Sequence, residues 1–136
     1  MKSRKGFTLV ELMVVILIVG ILAAVAIPIM RGRIDSAKWS EGKSMMGTIG
    51  TAIRAYCAET DEAPPTGLLS VDATATALGF TQGDLTGTYF LPGMFTIAAT
   101  YDPNSTTPLD FLITADHDAL EPHKHTLNEQ GRWDAP

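Results

Sequence analysis

The sequence predicts an α+β protein. One long N-terminal helix, apolar in its first half and amphipathic in its second, packs on a small antiparallel β-sheet. Three observations carry this expectation. Nineteen uncharged residues run from Leu12 to Met30 in a chain of 136, long enough as a helix to cross a bilayer. Helical periodicity then resumes and persists to about Ala58. The last third breaks into short β-rich runs separated by Pro, Gly, Asn and Asp.

The chain opens on a short basic leader, Met1-Lys2-Ser3-Arg4-Lys5-Gly6, and passes directly into Phe7-Thr8-Leu9-Val10-Glu11. From Phe7 to Pro28 a helix covers about 33 Å, against a hydrocarbon core of about 30 Å. The β-branched residues of this run do not oppose a helix, because in lipid the backbone must bond to itself. An ordinary secretory signal has a shorter apolar region followed by a small-residue cleavage site. Here the Gly flanked by charge precedes the apolar run instead. Pro28 cannot donate to Ala24, so a kink or local melting is expected there. Gly20 is a second weak point.

Beyond Pro28, Ile34, Ala37, Met45, Ile49, Ala52, Ile53 and Tyr56 fall mostly at helical spacing. The opposite side carries Asp35, Lys38, Lys43 and Arg54. Gly42, Gly47 and Gly50 each cost a helix about 1 kcal/mol relative to Ala, so this half is soft or closely packed. Glu59 to Gly67, with its Pro64-Pro65 pair, ends the helix in an extended loop. Val71 to Leu78 reads as a short helix capped by Ser70 and stopped at Gly79. Thr88 to Leu91, Phe95 to Tyr101 and Leu109 to Ala115 read as strands, with Asp102 to Pro108 as a turn. His125 to Leu127, Asn128 to Gly131 and Arg132-Trp133 read as a closing hairpin.

Charge is asymmetric. Lys2, Arg4 and Lys5 place the N-terminus on the cytoplasmic side and the bulk of the chain outside. Arg31 and Arg33, on the far side of the apolar run, weaken that asymmetry. Loss of the first six residues leaves seven basic against fifteen acidic residues, a net of −8. Such a domain is poorly suited to general nucleic-acid binding, which needs clustered Lys and Arg. A single cysteine, Cys57, permits no intramolecular disulfide and reads as a small buried residue on a helix face.

The run Lys5-Gly6-Phe7-Thr8-Leu9-Val10-Glu11, followed by Leu12 to Pro28, resembles the type IV pilin and type II secretion pseudopilin superfamily. The resemblance is close over about the first thirty residues and architectural beyond them. It implies three segments: a leader peptide at 1–6, a transmembrane and filament-core helix at 7–30, and a periplasmic or extracellular globular domain at 31–136. A prepilin peptidase would cut between Gly6 and Phe7 and methylate the new Phe7 amine. Glu11 would then dock the subunit by pairing with a neighbour's amine, and an assembly ATPase and an inner-membrane platform protein would drive extraction from the inner membrane. The product would be a homopolymer, with minor pilins as further partners, in a periplasmic pseudopilus or a surface filament. Nucleic acid would enter only in a DNA-uptake subtype. No enzymatic role and no cofactor are implied.

The physics of Glu11 supports that assignment. An unpaired carboxylate at bilayer depth is costly, and a cationic amine within hydrogen-bond reach offsets the cost. Its own Phe7 amine lies four residues away, so both intramolecular and intermolecular pairing remain open. An interfacial acid reaching up to water is the plain alternative.

A competing expectation is a single-pass anchored domain that binds metal or ligand and does not polymerise. Its support is Asp116-His117-Asp118 and Glu121-Pro122-His123-Lys124-His125, where His123 and His125 would share a strand face. Pro122 and Lys124 interrupt the pattern and no cysteine joins it, so no metal site is assigned. The chain shows no P-loop, nucleophile elbow, dinucleotide fingerprint or HExxH run, which leaves no catalytic residues to name.

Overall fold

The computed structural model describes residues 6–70, 72–81 and 83–134. Helix α1 spans Leu9–Thr60. It is followed by β1 (Gly67–Leu68), α2 (Asp72–Ala77), a 3-10 turn at Pro92–Met94, β2 (Phe95–Tyr101), β3 (Leu109–Asp116), β4 (Lys124–Asn128) and β5 (Trp133–Asp134). The five strands form one antiparallel sheet in the order β1-β2-β3-β4-β5. The architecture is the α+β one expected. The chain divides into two compact units, residues 1–34 and 35–136.

Among the described residues of the first unit, the helix begins at Leu9 and all side chains but the half-buried Ala23 are exposed. Pro28 lies inside α1 rather than ending it. The second unit holds the core. Strand alternation turns Phe95 and Ile97 of β2, Phe111 and Ile113 of β3, and His125 and Leu127 of β4 inward, as a half-buried antiparallel sheet requires. They meet Trp39, Met46, Ile49 and Ile53 of α1.

The buried stripe of α1 differs from the expected one. Trp39, Gly42, Met46, Ile49, Gly50, Ile53 and Cys57 are buried, whereas Ile34 is 46% exposed and Ala37 is also exposed. Met45, Ala52 and Tyr56 pack at the margin of the core. The stripe is rotated toward the glycines. A Cβ on Gly42 would stand 2.7 Å from the Phe90 ring, and one on Gly50 would touch Phe111 at 3.4 Å, but Gly47 has nothing within 4 Å. Two of the three glycines therefore let aromatic rings approach the helix, and the third does not.

Thr88 to Leu91 is not a strand. The backbone N–H groups of Tyr89 and Phe90 donate to Glu41 Oε1 at 2.8 and 3.0 Å, and Gly87 N–H donates to the Phe90 carbonyl at 2.9 Å. Donors committed to a helix side chain and a local turn cannot enter a ladder. The two-residue β1 forms instead, in a stretch read as loop, by pairing Gly67 with Ile97 and Leu68 with Thr96. Helix α2 begins at Asp72; Val71, expected within that helix, lies outside the described residues. The C-terminal hairpin forms as expected, turning through Gly131 at φ 75°, a left-handed conformation that favours glycine.

Candidate assembly site at the start of the helix

Gly6, Phe7 and Thr8 precede the helix and are exposed. The rest of the expected leader, residues 1–5, lies outside the described residues. Thr8 is the N-cap, and its carbonyl accepts the Leu12 N–H at 3.3 Å. The Thr8 hydroxyl accepts the Glu11 N–H at 3.2 Å. In return, Glu11 Oε2 accepts the Thr8 backbone N–H at 2.8 Å and the Thr8 hydroxyl at 2.7 Å. This reciprocal pairing of N-cap and N3 is a capping box. It satisfies donors that the first helical turn leaves unpaired, and it places a negative charge where the helix dipole favours one.

The capping box explains why the helix starts at Leu9, two residues after the expected Phe7. The Gly6–Phe7 peptide consequently lies outside the helix. The signal was present in the order Thr8-x-x-Glu11, a threonine with an acid three residues on before an apolar run. Glu11 thus has two geometric properties. One of its oxygens is engaged by Thr8, and the residue as a whole is exposed at the first turn of an apolar helix.

The first half of that helix exposes its apolar side chains. Within the first unit Phe7 is 79% exposed, Ile16 69% and Leu22 64%. The helix is long and apolar enough to cross a membrane. Full burial of one such side chain is worth about 1.5–3 kcal/mol, so a surface of this size needs lipid or other protein around it.

The polar C-terminal cluster does not assemble into a metal centre. Among the described residues no three His, Cys, Asp or Glu side chains gather around a common point. His123 Nε2 lies 3.2 Å from Glu121 Oε1 at the surface. His125 instead points into the core and is 7% exposed. His117 Nε2 reaches the Tyr89 carbonyl at 3.2 Å, and Asp116 pairs with Lys124 at 2.9 Å. His123 and His125 therefore do not share a face as expected, because β4 begins at Lys124 and only His125 turns inward. Cys57 is free and buried on α1.

Residues 1–27 match the family described as the prokaryotic N-terminal methylation motif. The chain is 47% identical over 53 residues to a fimbrial protein of Moraxella nonliquefaciens, covering 39% of this chain and 34% of that protein. It is 47% identical over 64 residues to the type IV major fimbrial protein FimA of Dichelobacter nodosus, covering 46% and 41%. It is 42% identical over 55 residues to the type II secretion system core protein G of Pseudomonas aeruginosa, covering 40% and 39%. The matched stretch thus spans only 34% to 41% of these relatives' lengths. No solved structure matches the chain significantly.

Proposed function

We propose that this chain, which carries the N-terminal methylation motif and shares its N-terminal region with type IV pilins and a type II secretion core protein, is a structural filament subunit. The observation that carries the reading is the juxtaposition at residues 6–11. A non-helical Gly6–Phe7 bond precedes a capped helix whose third residue is an acid and whose apolar side chains are exposed among the described residues. Those features suit a precursor that is first held in lipid and later packed against copies of itself.

In this reading, residues 1–6 are a leader and residues 7–30 an inner-membrane span with the N-terminus cytoplasmic. Residues 31–136 form the external globular domain. A prepilin peptidase cleaves between Gly6 and Phe7, and the new Phe7 amine is methylated. That amine, cationic at neutral pH, pairs with Glu11 of a neighbouring subunit. The pairing makes burial of the carboxylate in a filament tolerable, and an unpaired acid would disfavour misregistered docking. Pro28, which removes one helical hydrogen bond, provides a point of bending as the helix passes from lipid to protein. An assembly ATPase, an inner-membrane platform protein and minor pilins complete the apparatus. The role is structural rather than catalytic, in a pseudopilus or a surface filament.

The test is intact-mass analysis of the native product together with filament formation by Glu11→Ala. The expected product begins at a methylated Phe7, and the variant stays in the membrane without polymerising. A native product that retains Met1, or normal filaments from Glu11→Ala, would overturn the reading.

A further inference from the structure

We propose that β4 and β5 form a pH-sensitive latch, in which protonation of the buried His125 imidazole loosens the C-terminal edge of the sheet. The inference concerns the globular unit alone and does not rest on the filament reading. Its basis is two neighbouring polar atoms without partners. His125 Nδ1 and Trp39 Nε1 are both buried and make no hydrogen bond. Their rings meet edge to face, with centroids 4.4 Å apart and planes at 77°. His125 is 7% and Trp39 2% exposed.

A neutral imidazole is tolerated there as an aromatic filler. The imidazolium is a different object. Both of its nitrogens carry protons, so Nδ1, which has no hydrogen-bond partner, would become a buried charged donor, and such groups are costly to bury.

The charged groups around His125 do not relieve that cost. On α1, Lys43 lies one turn beyond Trp39, with Nζ 5.7 Å from the centroid of the Trp133 ring of β5. It repels an imidazolium. On β3, Asp116 is occupied by Lys124, the residue preceding His125 on its own strand. On β5, Asp134 contributes its backbone, whose carbonyl also accepts the Thr126 hydroxyl at 3.4 Å. His117 reaches the same aromatic group from the far side through Phe90, with ring centroids 5.1 Å apart. Burial first, and Lys43 second, hold the His125 imidazole below its ordinary value, against a smaller opposing pull from the Asp134 backbone.

Strand β5 is the element that yields. It is two residues long, both exposed, and joins β4 only through the pairs Thr126–Asp134 and Leu127–Trp133. From the helix side the Lys43 ammonium lies over its Trp133 ring, an attractive cation–π contact. Charge arriving on His125 therefore acts next to a short edge strand held by two residue pairs. The sign follows from the depressed value. The imidazole is neutral in the closed form, so the latch is intact above about pH 6.5. It weakens as pH falls below that, and the loss ends once the folded form is itself protonated.

The experiment is a pH series on the full chain in detergent micelles, from pH 7.5 to 5. It reads the His125 ring protons by NMR and amide hydrogen exchange corrected for intrinsic rates. The expected result is His125 titrating below the ordinary imidazole value. Amides of Thr126, Leu127, Trp133 and Asp134 should open more easily as pH falls, by up to about tenfold per pH unit for one proton. Ile97 and Ile113 should change little. His125→Phe should abolish the pH dependence, and Lys43→Met should raise the His125 titration toward the ordinary imidazole value and shrink the acid opening. Acid opening that is unchanged in His125→Phe, or that is equal in β2–β3 and β4–β5, overturns the latch. Should His125→Phe not fold, the wild-type titration and Lys43→Met decide. A His125 titration that Lys43→Met leaves unmoved, or no acid opening at all, overturns it equally.

Discussion

Glu41 and Phe90, 49 residues apart in sequence, are tied by a hydrogen bond from the Phe90 backbone N–H to Glu41 Oε1 at 3.0 Å. The same oxygen accepts Tyr89 N–H. One helix carboxylate thereby seats the loop that drops Phe90, with no exposed surface, into the gap above Gly42. The loop lacks a ladder of its own, and Glu41 supplies what the ladder would have provided.

Removal of that acceptor should be felt across the globular unit. Glu41→Ala leaves two backbone donors to find water, and a hydrogen bond to a charged group contributes about 1.5–3 kcal/mol. Because Glu41 is partly exposed, a loss of about 1–2 kcal/mol is expected by denaturant unfolding. Partial burial pushes the Glu41 carboxyl up, but the backbone N–H groups of Tyr89, Phe90 and Thr88 together outweigh it and hold the group below the usual carboxylate range. Its contribution is therefore present above the ordinary carboxylate value and lost as pH falls through the lowered one. Glu41→Ala should unfold with a flatter acid limb than the parent, and identical acid limbs would contradict this.

Gly42 and Gly47 should respond oppositely to the same change. A methyl on Gly42 meets the Phe90 ring at 2.7 Å, so overpacking of about 1–3 kcal/mol outweighs the helix-propensity gain. A methyl on Gly47 meets nothing within 4 Å, and Gly47→Ala should stabilise by up to about 1 kcal/mol. Paired melts of the two variants read the difference directly.

Thr8 should matter through the helix start. Thr8→Val removes the hydroxyl that both donates to Glu11 and accepts its N–H. Thr8→Ser keeps both contacts. Amide exchange over Leu9–Leu12 in micelles should quicken in Thr8→Val and stay near the parent in Thr8→Ser. Equal protection in all three would mean that the box does not hold the first turn.

Cys57 should be inert in the folded protein. Burial pushes its thiol up from the ordinary value, and the thiolate is the reactive form. Maleimide labelling at pH 7 should be slow in the native chain and complete after denaturation. Rapid native labelling would show that this end of α1 opens readily.

The pattern of the N-terminal half was legible at once because its signals are local. A run of apolar residues declares a helix whatever surrounds it, and Lys5-Gly6-Phe7-Thr8-Leu9-Val10-Glu11 is a contiguous string. The capping box is equally local, set by Thr8 and Glu11 three residues apart. The second half of α1 was harder. Its true stripe runs through Gly42 and Gly50, which carry no hydrophobicity to reveal a buried face, so Ile34 and Ala37 were placed inward in their stead. Thr88 to Leu91 has the composition of a strand, and composition cannot show that its donors are spent on a carboxylate 48 residues away.

The amino-acid order alone thus determined that this chain has a membrane-length helix with one acid at its start, followed by an amphipathic continuation and a small antiparallel sheet. Periodicity and length are properties of neighbouring residues, and they need no fold to be read. The tertiary structure alone decided which helix face is buried, that Glu41 clasps the Phe90 loop, and that His125 parts from His123 to stand against Trp39. Those outcomes depend on which distant groups compete for the same space and the same hydrogen bonds, and that competition exists only once the chain has closed on itself.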